Sequence, residues 1–457
     1  MLLVVLDTAR ADHFGPYGGR AATPAFDDLA SRGAFAKNAV ASAPWTVPSH
    51  ASMLSGLLPF EHNVTGAAIH AAEGRLSSPR PAIEGLSDRW LPEVLRRSGY
   101  RTFAVSANPW ITPAMGFDVG FDHFEVVGMA RIAPRGVKRK RRLRDSIPPA
   151  IRQRLKNAAL YLRDAYRGRD FGAADALRLL EEIGKKPRPF FGFVNIMEAH
   201  SLYLPPGRYN SLSGLRRLRA PGLLRRYYGG EMVLSQNLGL TDVPEEALGV
   251  FRELYAGEVA YADAFLSELF SLLGPRLDET VVIVTADHGE NLGEEHLLGH
   301  QLSLDRRLLH VPMAIAGPVT PPSELGDDVF SLASLARVVA DSIDLPAHPW
   351  AAGERGLAVA QYESGLNHFR RARAMLPRLD AEQSARLGEV LGAATDGSTT
   401  VVRSSRGVER VEGPAGGAPR LRAALDGVPG EPGSVPEGYT PRQEAEIEER
   451  LQELGYL

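Results

Sequence analysis

Met1-Leu2-Leu3-Val4-Val5-Leu6 runs without a polar break into Asp7, and two distant stretches repeat the pattern. Phe190-Phe191-Gly192-Phe193-Val194-Asn195-Ile196-Met197 leads to Glu198 and His200, and Val281-Val282-Ile283-Val284-Thr285-Ala286 leads to Asp287-His288-Gly289-Glu290. Short β-rich apolar runs without alternation read as strands buried on both faces, as in a parallel sheet. Ligand sites in open α/β sheets lie at the carboxyl ends of such strands. A strand-terminal Asp is also an ordinary turn residue or N-cap, but three such endings, two with histidine, point to a shared divalent-metal pocket.

Between these runs, strands alternate with helices. Phe26 to Gly33 and Trp90 to Gly99 read as short helices, each closed by a glycine. Arg101-Thr102-Phe103-Ala104-Val105-Ser106 reads as a further strand ending near Asn108, and Leu254 to Leu272 as a helix before the 281–286 strand. The alternation predicts βαβ units and a mostly parallel sheet. Beyond about 355 the apolar runs shorten. Ala393 to Val408 suggests an antiparallel hairpin, and Thr440, Pro441 and Gln443 mark the start of a terminal helix. A large domain over 1–355 and a smaller C-terminal α+β region over 356–457 fit the length of 457 residues.

Composition is ordinary for a globular protein, with 44% hydrophobic and 23% charged residues, and the net charge of −3 favours no partner class. No apolar stretch is long enough to span a membrane. With no room for a leader before the first strand, a cytoplasmic location is expected, unless the true start lies upstream. There are no cysteines, which excludes disulfides, thiolate ligands and a cysteine nucleophile. Residues 131–169 hold fourteen Lys or Arg against two Asp. They read as a basic insertion, either solvated or suited to an anionic substrate, a polyanion or peripheral membrane contact. Tyr161 and Tyr166 are its only aromatics, which argues against nucleic acid.

Pro44-Trp45-Thr46-Val47-Pro48-Ser49-His50-Ala51-Ser52-Met53-Leu54-Ser55-Gly56 predicts a helix with Pro48 in its first turn, running to about Leu54, and Thr46 just before its amino end. That position binds anions. A threonine hydroxyl becomes a useful nucleophile when a divalent cation stabilises its alkoxide. The expected arrangement is Asp7, Thr46, Asp287 and His288 around one divalent cation. The imidazole favours Mn or Zn over Mg or Ca. His200 and His300 are left to bind the oxyanion and protonate the leaving group, and Asn108 is a further candidate substrate contact. Glu198, His200 and His300 also offer a possible second metal set.

Leu6-Asp7-Thr8-Ala9-Arg10-Ala11-Asp12-His13, Thr46-Val47-Pro48-Ser49-His50-Ala51-Ser52, Ala286-Asp287-His288-Gly289-Glu290 and Gly299-His300 resemble the sulfatase family of the alkaline phosphatase superfamily. Tyr17-Gly18, Thr23-Pro24, Met197-Glu198-Ala199-His200 and the ending Glu449 to Leu457 fit as well. The resemblance implies a three-layer α/β sandwich that hydrolyses sulfate or phosphate esters at a metal-held nucleophile, with a smaller C-terminal domain. It places Asp7, Asp287 and His288 on the metal, Thr46 at the nucleophile position, and His200 and His300 on the transferred group. Sulfatases carry Cys or Ser where Thr46 stands and oxidise it to formylglycine. Threonine's Cβ methyl would give a ketone instead. Thr8 also replaces a common Asp ligand, and His288 replaces a common Asn. These departures resemble the threonine-nucleophile branch, which implies a small-molecule, glycan or lipid ester substrate, phosphate favoured over sulfate. Transfer to an alcohol acceptor and a non-catalytic polyanion-binding role are the alternatives.

Overall fold

With no polar residue to present to water, Leu2-Leu3-Val4-Val5-Leu6 has to be covered on both faces. In the structure, a computed structural model, it forms β1 (Leu2–Leu6), buried at every position. The structure describes residues 1–64, 78–128, 158, 161–183, 189–320, 325–351, 353–363 and 375–430. The expected basic stretch up to 157, the terminal helix from Thr440 and the Glu449–Leu457 ending lie outside these.

The other strands of the main sheet are β2 (Ala34–Phe35), β3 (Arg101–Ser106), β4 (His123–Val126), β5 (Phe190–Ile196), β6 (Val282–Thr285) and β7 (Met313–Ala316). Their order is β2-β7-β6-β1-β5-β3-β4. β1 pairs in parallel with β5 and β6, and β3 in parallel with β4 and β5, while β7 runs antiparallel to both β6 and β2. The mostly parallel sheet read from the apolar runs is therefore present, and helices flank it in the expected three-layer α/β arrangement.

Register positions the site. Leu6 lies opposite Ile196, Val5 opposite Thr285 and Ser106 opposite Asn195. The carboxyl ends of β1, β3, β5 and β6 thus reach one edge together, and the residues just beyond them meet there. Truncating a side chain such as Leu3, buried in the middle of β1, is expected to cost about 2–5 kcal/mol.

Helix α1 (Pro24–Arg32) follows the β1 loop, and α2 (Thr46–Ser55) carries the predicted nucleophile. Thr46 is the first helical residue of α2, one step further in than expected, because Trp45 takes the extended N-cap conformation. Gly56 ends α2 at φ 71°, its N–H bonded to the Ser52 carbonyl at 2.9 Å. A Cβ there would fall 2.4 Å from the Trp350 ring, so both the left-handed φ and the close packing call for glycine. Further along come α3 (Leu91–Arg97), α4 (Ala173–Ile183), α5 (Gly214–Tyr227) and the long α6 (Glu245–Leu273).

The expected hairpin is part of a four-stranded antiparallel sheet: β8 (Ala358–Glu363), β9 (Val390–Thr395), β10 (Thr400–Ser404) and β11 (Glu409–Glu412). Val359, Ala394 and Val401 pack there against Ala418, Leu421 and Leu425 as a small separate core.

Candidate active site

The turn after β1 is built under strain. Thr8 adopts φ 56°, which is unfavourable for a β-branched residue. Three contacts hold it there. Its N–H donates to Asp287 Oδ1 (3.1 Å), its hydroxyl to the Asp7 carbonyl (2.7 Å), and its own carbonyl accepts from the Tyr255 hydroxyl (2.7 Å). The Tyr255 oxygen also accepts the Arg10 N–H at 2.9 Å. Helix α6 therefore pins the segment that carries Asp7. The Thr8 side chain is itself committed to backbone, at the Asp7 carbonyl.

Asp7, Asp287 and His288 are fully buried, and one donor atom from each lies within 4.8 Å of the others. Asp287 Oδ1 is taken by the N–H groups of Thr8 and His288 (2.9 Å). Asp7 Oδ1, Asp287 Oδ2 and His288 Nε2 have no hydrogen-bond partner. The His288 Nδ1–H donates to the Gly289 carbonyl at 2.8 Å, which leaves the Nε2 lone pair facing the carboxylates, as a metal-ligating imidazole requires. Burial and the Asp7 charge hold the Asp287 carboxyl well above the usual carboxylate range. Burial, then His300 and His200, push His288 well below the usual imidazole value. Two carboxylate oxygens and one imidazole nitrogen, buried and unpartnered, fit a divalent cation. Its positive charge would favour the anionic aspartates and the neutral imidazole.

Thr46 joins this group through Asn108. Asn108 Nδ2 donates to Asp7 Oδ2 at 2.6 Å and lies 3.4 Å from Thr46 Oγ1. No side chain caps α2, so the N–H groups of its first turn, beginning at Thr46, have no side-chain partner. Ser49 ties α2 to the end of β6, its hydroxyl 2.6 Å from the Asp287 carbonyl.

His50 was not singled out from the sequence, yet it sits one turn beyond Thr46. Its Nδ1–H donates to the Thr46 carbonyl (2.9 Å), and the same nitrogen lies 3.5 Å from Asp287 Oδ2. Asn195 Nδ2 reaches His50 Nε2 at 3.3 Å and Asp7 Oδ2 at 3.4 Å. Burial pushes His50 down to about 4. The available signals were the i, i+4 spacing from Thr46 and one amide inside the otherwise apolar 190–197 run.

His200 and His300 stand beside the carboxylates. The His300 ring centroid is 4.7 Å from that of His288 and 5.6 Å from that of His200. His200 Nδ1–H donates to the Ser201 carbonyl at 2.9 Å, and His300 Nδ1 pairs with Glu290 Oε1 at 3.0 Å. The structure thus gathers Asp7, Thr46, Asn108, His200, Asp287, His288 and His300 at one sheet edge. Glu290, read only as part of a motif, proves to be the partner of His300.

Glu198 does not join them. Its carboxylate accepts the N–H groups of Phe171 (3.1 and 3.2 Å) and Ala173 (3.0 Å) at the start of α4. Burial and the Asp170 charge push it up to about 8. A carboxylate committed to capping a helix leaves the proposed second metal set of Glu198, His200 and His300 without its acidic member. Among the described residues, those three are not a group with converging donor atoms.

Residues 1–347 match the family model described as Sulfatase. The chain belongs to the sulfatase family. The chain is 32% identical over 121 residues to a choline-sulfatase of Rhizobium meliloti (strain 1021), a match covering 24% of this chain and 22% of that protein. It is 24% identical over 366 residues to the multifunctional alkaline phosphatase superfamily protein PehA of Trinickia caryophylli, covering 69% of this chain and 67% of the relative. Among solved structures, it resembles the phosphonate monoester hydrolase of Agrobacterium radiobacter, with TM-score 0.57, 18% identity, and 92% and 90% of the two chains covered. A 2-O GAG sulfatase superposes with TM-score 0.59 at 15% identity over 99% of this chain and 92% of that one. At such identities the likeness is one of fold.

Proposed function

We propose that this sulfatase-family chain is a metal-dependent hydrolase of phosphate or sulfate esters, phosphate favoured, with Thr46 as its nucleophile. The carrying observation is the link from Thr46 Oγ1 through Asn108 to Asp7, whose second oxygen is one of three buried donor atoms without a partner. Asp7, Asp287 and His288, with Thr46 beside them, would hold one divalent cation, Mn or Zn suiting the imidazole best. Such a cation would lower the pKa of a nearby hydroxyl and offset charge on the ester oxygens.

The chain's own groups supply the rest. Thr46 Oγ1 attacks phosphorus in line with the leaving oxygen. The Oγ1–P bond forms as the ester P–O bond breaks, and the threonine proton passes to solvent. The N–H groups of Thr46 and Val47 at the start of α2 hold the non-bridging oxygens, while Asn108 keeps Thr46 Oγ1 beside Asp7. An imidazolium at His300 or His200 gives its Nε2 proton to the departing alkoxide. Water then attacks the phosphorus, the Oγ1–P bond breaks, the phosphate product leaves, and Oγ1 takes a proton to become the hydroxyl again. Phosphate is favoured over sulfate because position 46 is threonine and the chain has no cysteine, so it lacks the usual route to the formylglycine aldehyde.

The test is a hydrolysis panel of an aryl phosphate monoester, diester, phosphonate ester and sulfate ester, each with Mn, Zn, Mg and Ca. Phosphoester turnover with Mn or Zn is expected, falling by roughly 10³-fold or more in Thr46→Ala. Full activity in that variant removes the nucleophile assignment. Product analysis with an added alcohol distinguishes hydrolysis from transfer.

A further inference from the structure

Away from the site, two adjoining segments carry far more positive charge than their neighbours neutralise. Residues 161–169 hold three arginines against Asp164, and α5 holds five arginines with no acidic residue. The segments pack together: the Tyr161 hydroxyl donates to the Leu218 carbonyl (2.8 Å), and Arg217 donates to the carbonyls of Ala165 (2.9 Å) and Tyr166 (3.0 Å). Asp164 is fully buried and accepts from Arg163, Arg169 and Arg225 at 2.7–2.9 Å. One carboxylate therefore fixes three guanidiniums. Arg216 pairs with Glu253. Arg167, Arg217, Arg219 and Arg226 have no described carboxylate within 4.0 Å.

The same surface is apolar where a purely solvated one would not be. Among the described residues, three of the eight exposed large hydrophobics lie here: Leu162 (50%), Tyr166 (53%) and Leu215 (58%). Leu162 and Tyr166 are one turn apart. Leu215, Arg219 and Arg226 recur at i, i+4 and i+11, on one face of α5.

We propose that this face docks on an anionic phospholipid bilayer. Arginines beside half-exposed leucines and a tyrosine match a membrane interface, where guanidiniums meet phosphates and apolar tips enter the headgroup boundary. A nucleic acid or other polyanion would use the charge but not the leucines. One face of each tyrosine that a base would stack on already carries a guanidinium, Tyr166 that of Arg217 (5.7 Å) and Tyr161 that of Arg225 (5.4 Å). The segment that carries part of this surface leads toward the active site, since the Arg169 N–H donates to the Leu204 carbonyl at 2.7 Å. Leu204 is four residues past His200, so the two are within about 14 Å.

The experiment is pelleting of the full chain with vesicles of phosphatidylcholine alone and of phosphatidylcholine with phosphatidylglycerol. The expected result is binding to the anionic vesicles that falls with salt. R219Q/R226Q should weaken it by roughly fivefold for each arginine, R219K/R226K should restore it, and L162S/L215S should also weaken it. All four positions are exposed, so circular dichroism and turnover of a soluble aryl ester should match wild type. Three results overturn the proposal: no binding to anionic vesicles, unchanged binding by R219Q/R226Q, or leucine variants that bind like wild type, which would mark a general polyanion site. The pelleting readout is independent of turnover, so its failure and that of the Thr46 reading are separate.

Discussion

Removing the cation, and then Asp287, tests the metal assignment through stability rather than activity. Asp7 Oδ1, Asp287 Oδ2 and His288 Nε2 are buried without partners. At about 1–3 kcal/mol for each unsatisfied buried group, they cost roughly 3–9 kcal/mol when no cation is bound. Burial and Asp7 raise the Asp287 carboxyl, so ionising it in the chelated fold is penalised. That stability is present below the unfolded carboxyl pKa and is lost as pH rises toward the higher folded value. In Asp287→Asn the penalty is absent. The assay is urea unfolding at neutral pH after chelation, with and without added Mn or Zn. Wild type should gain about 2.7 kcal/mol when the cation is a hundredfold above its Kd. Chelated Asp287→Asn should be at least as stable as chelated wild type, yet gain almost nothing from the cation. A wild-type protein indifferent to Mn, Zn, Mg and Ca, or a variant that gains as much as wild type, would refute the reasoning.

Other expectations follow from single contacts. Tyr255→Phe removes the hydroxyl shared by the Thr8 carbonyl and the Arg10 N–H; it should destabilise the protein by about 1–3 kcal/mol and lower kcat by loosening Asp7, measured by unfolding and kinetics on the same sample. Glu290→Gln weakens the support of His300 Nδ1; if His300 donates to the leaving group, kcat should drop roughly tenfold or more for alkyl esters and much less for nitrophenyl esters, and an equal drop for both would contradict that role. His50 and His62 titrate near 4 and 3 because of burial, so their stabilisation is complete above the ordinary 6.5 and is lost as pH falls below it, at up to about 1.4 kcal/mol per pH unit for each. His62 accepts the Val64 N–H and hydrogen-bonds Ser52; His62→Gln should flatten the acid limb of a urea-midpoint profile by about one proton, and an unchanged limb would contradict it.

The parts of the fold legible in sequence were those with one dominant signal. β1, β5 and β6 lacked alternation, and only burial on both faces accounts for that. α1 and α3 showed glycine stops or periodic apolar residues. α6 was read from Leu254 but begins at Glu245, because Gly249 and the flanking Glu245, Glu246, Arg252 and Glu253 break up a stretch whose Ala247, Leu248, Val250 and Phe251 are nonetheless buried. The short β2 and antiparallel β7 gave no comparable pattern, because β7's direction is set by its pairing with β6 and β2 rather than by its own four residues.

The site followed the same rule. Residues at strand ends were found because register carries them to one edge. His50 and Asn195 meet Asp287, Asp7 and each other across long sequence separations, and Glu290 meets His300 only through the turn between them. Glu198 looked like a ligand because it precedes His200, but local N–H groups at the start of α4 claim its oxygens.

The most direct measurement is the chemical state of Thr46 during turnover. Phosphoester hydrolysis quenched in acid, followed by peptide mass analysis, should show a phosphoryl group on the peptide containing Thr46, at the Thr46 hydroxyl. Wild-type turnover with that peptide never modified, together with undiminished turnover in Thr46→Ala, would contradict the account.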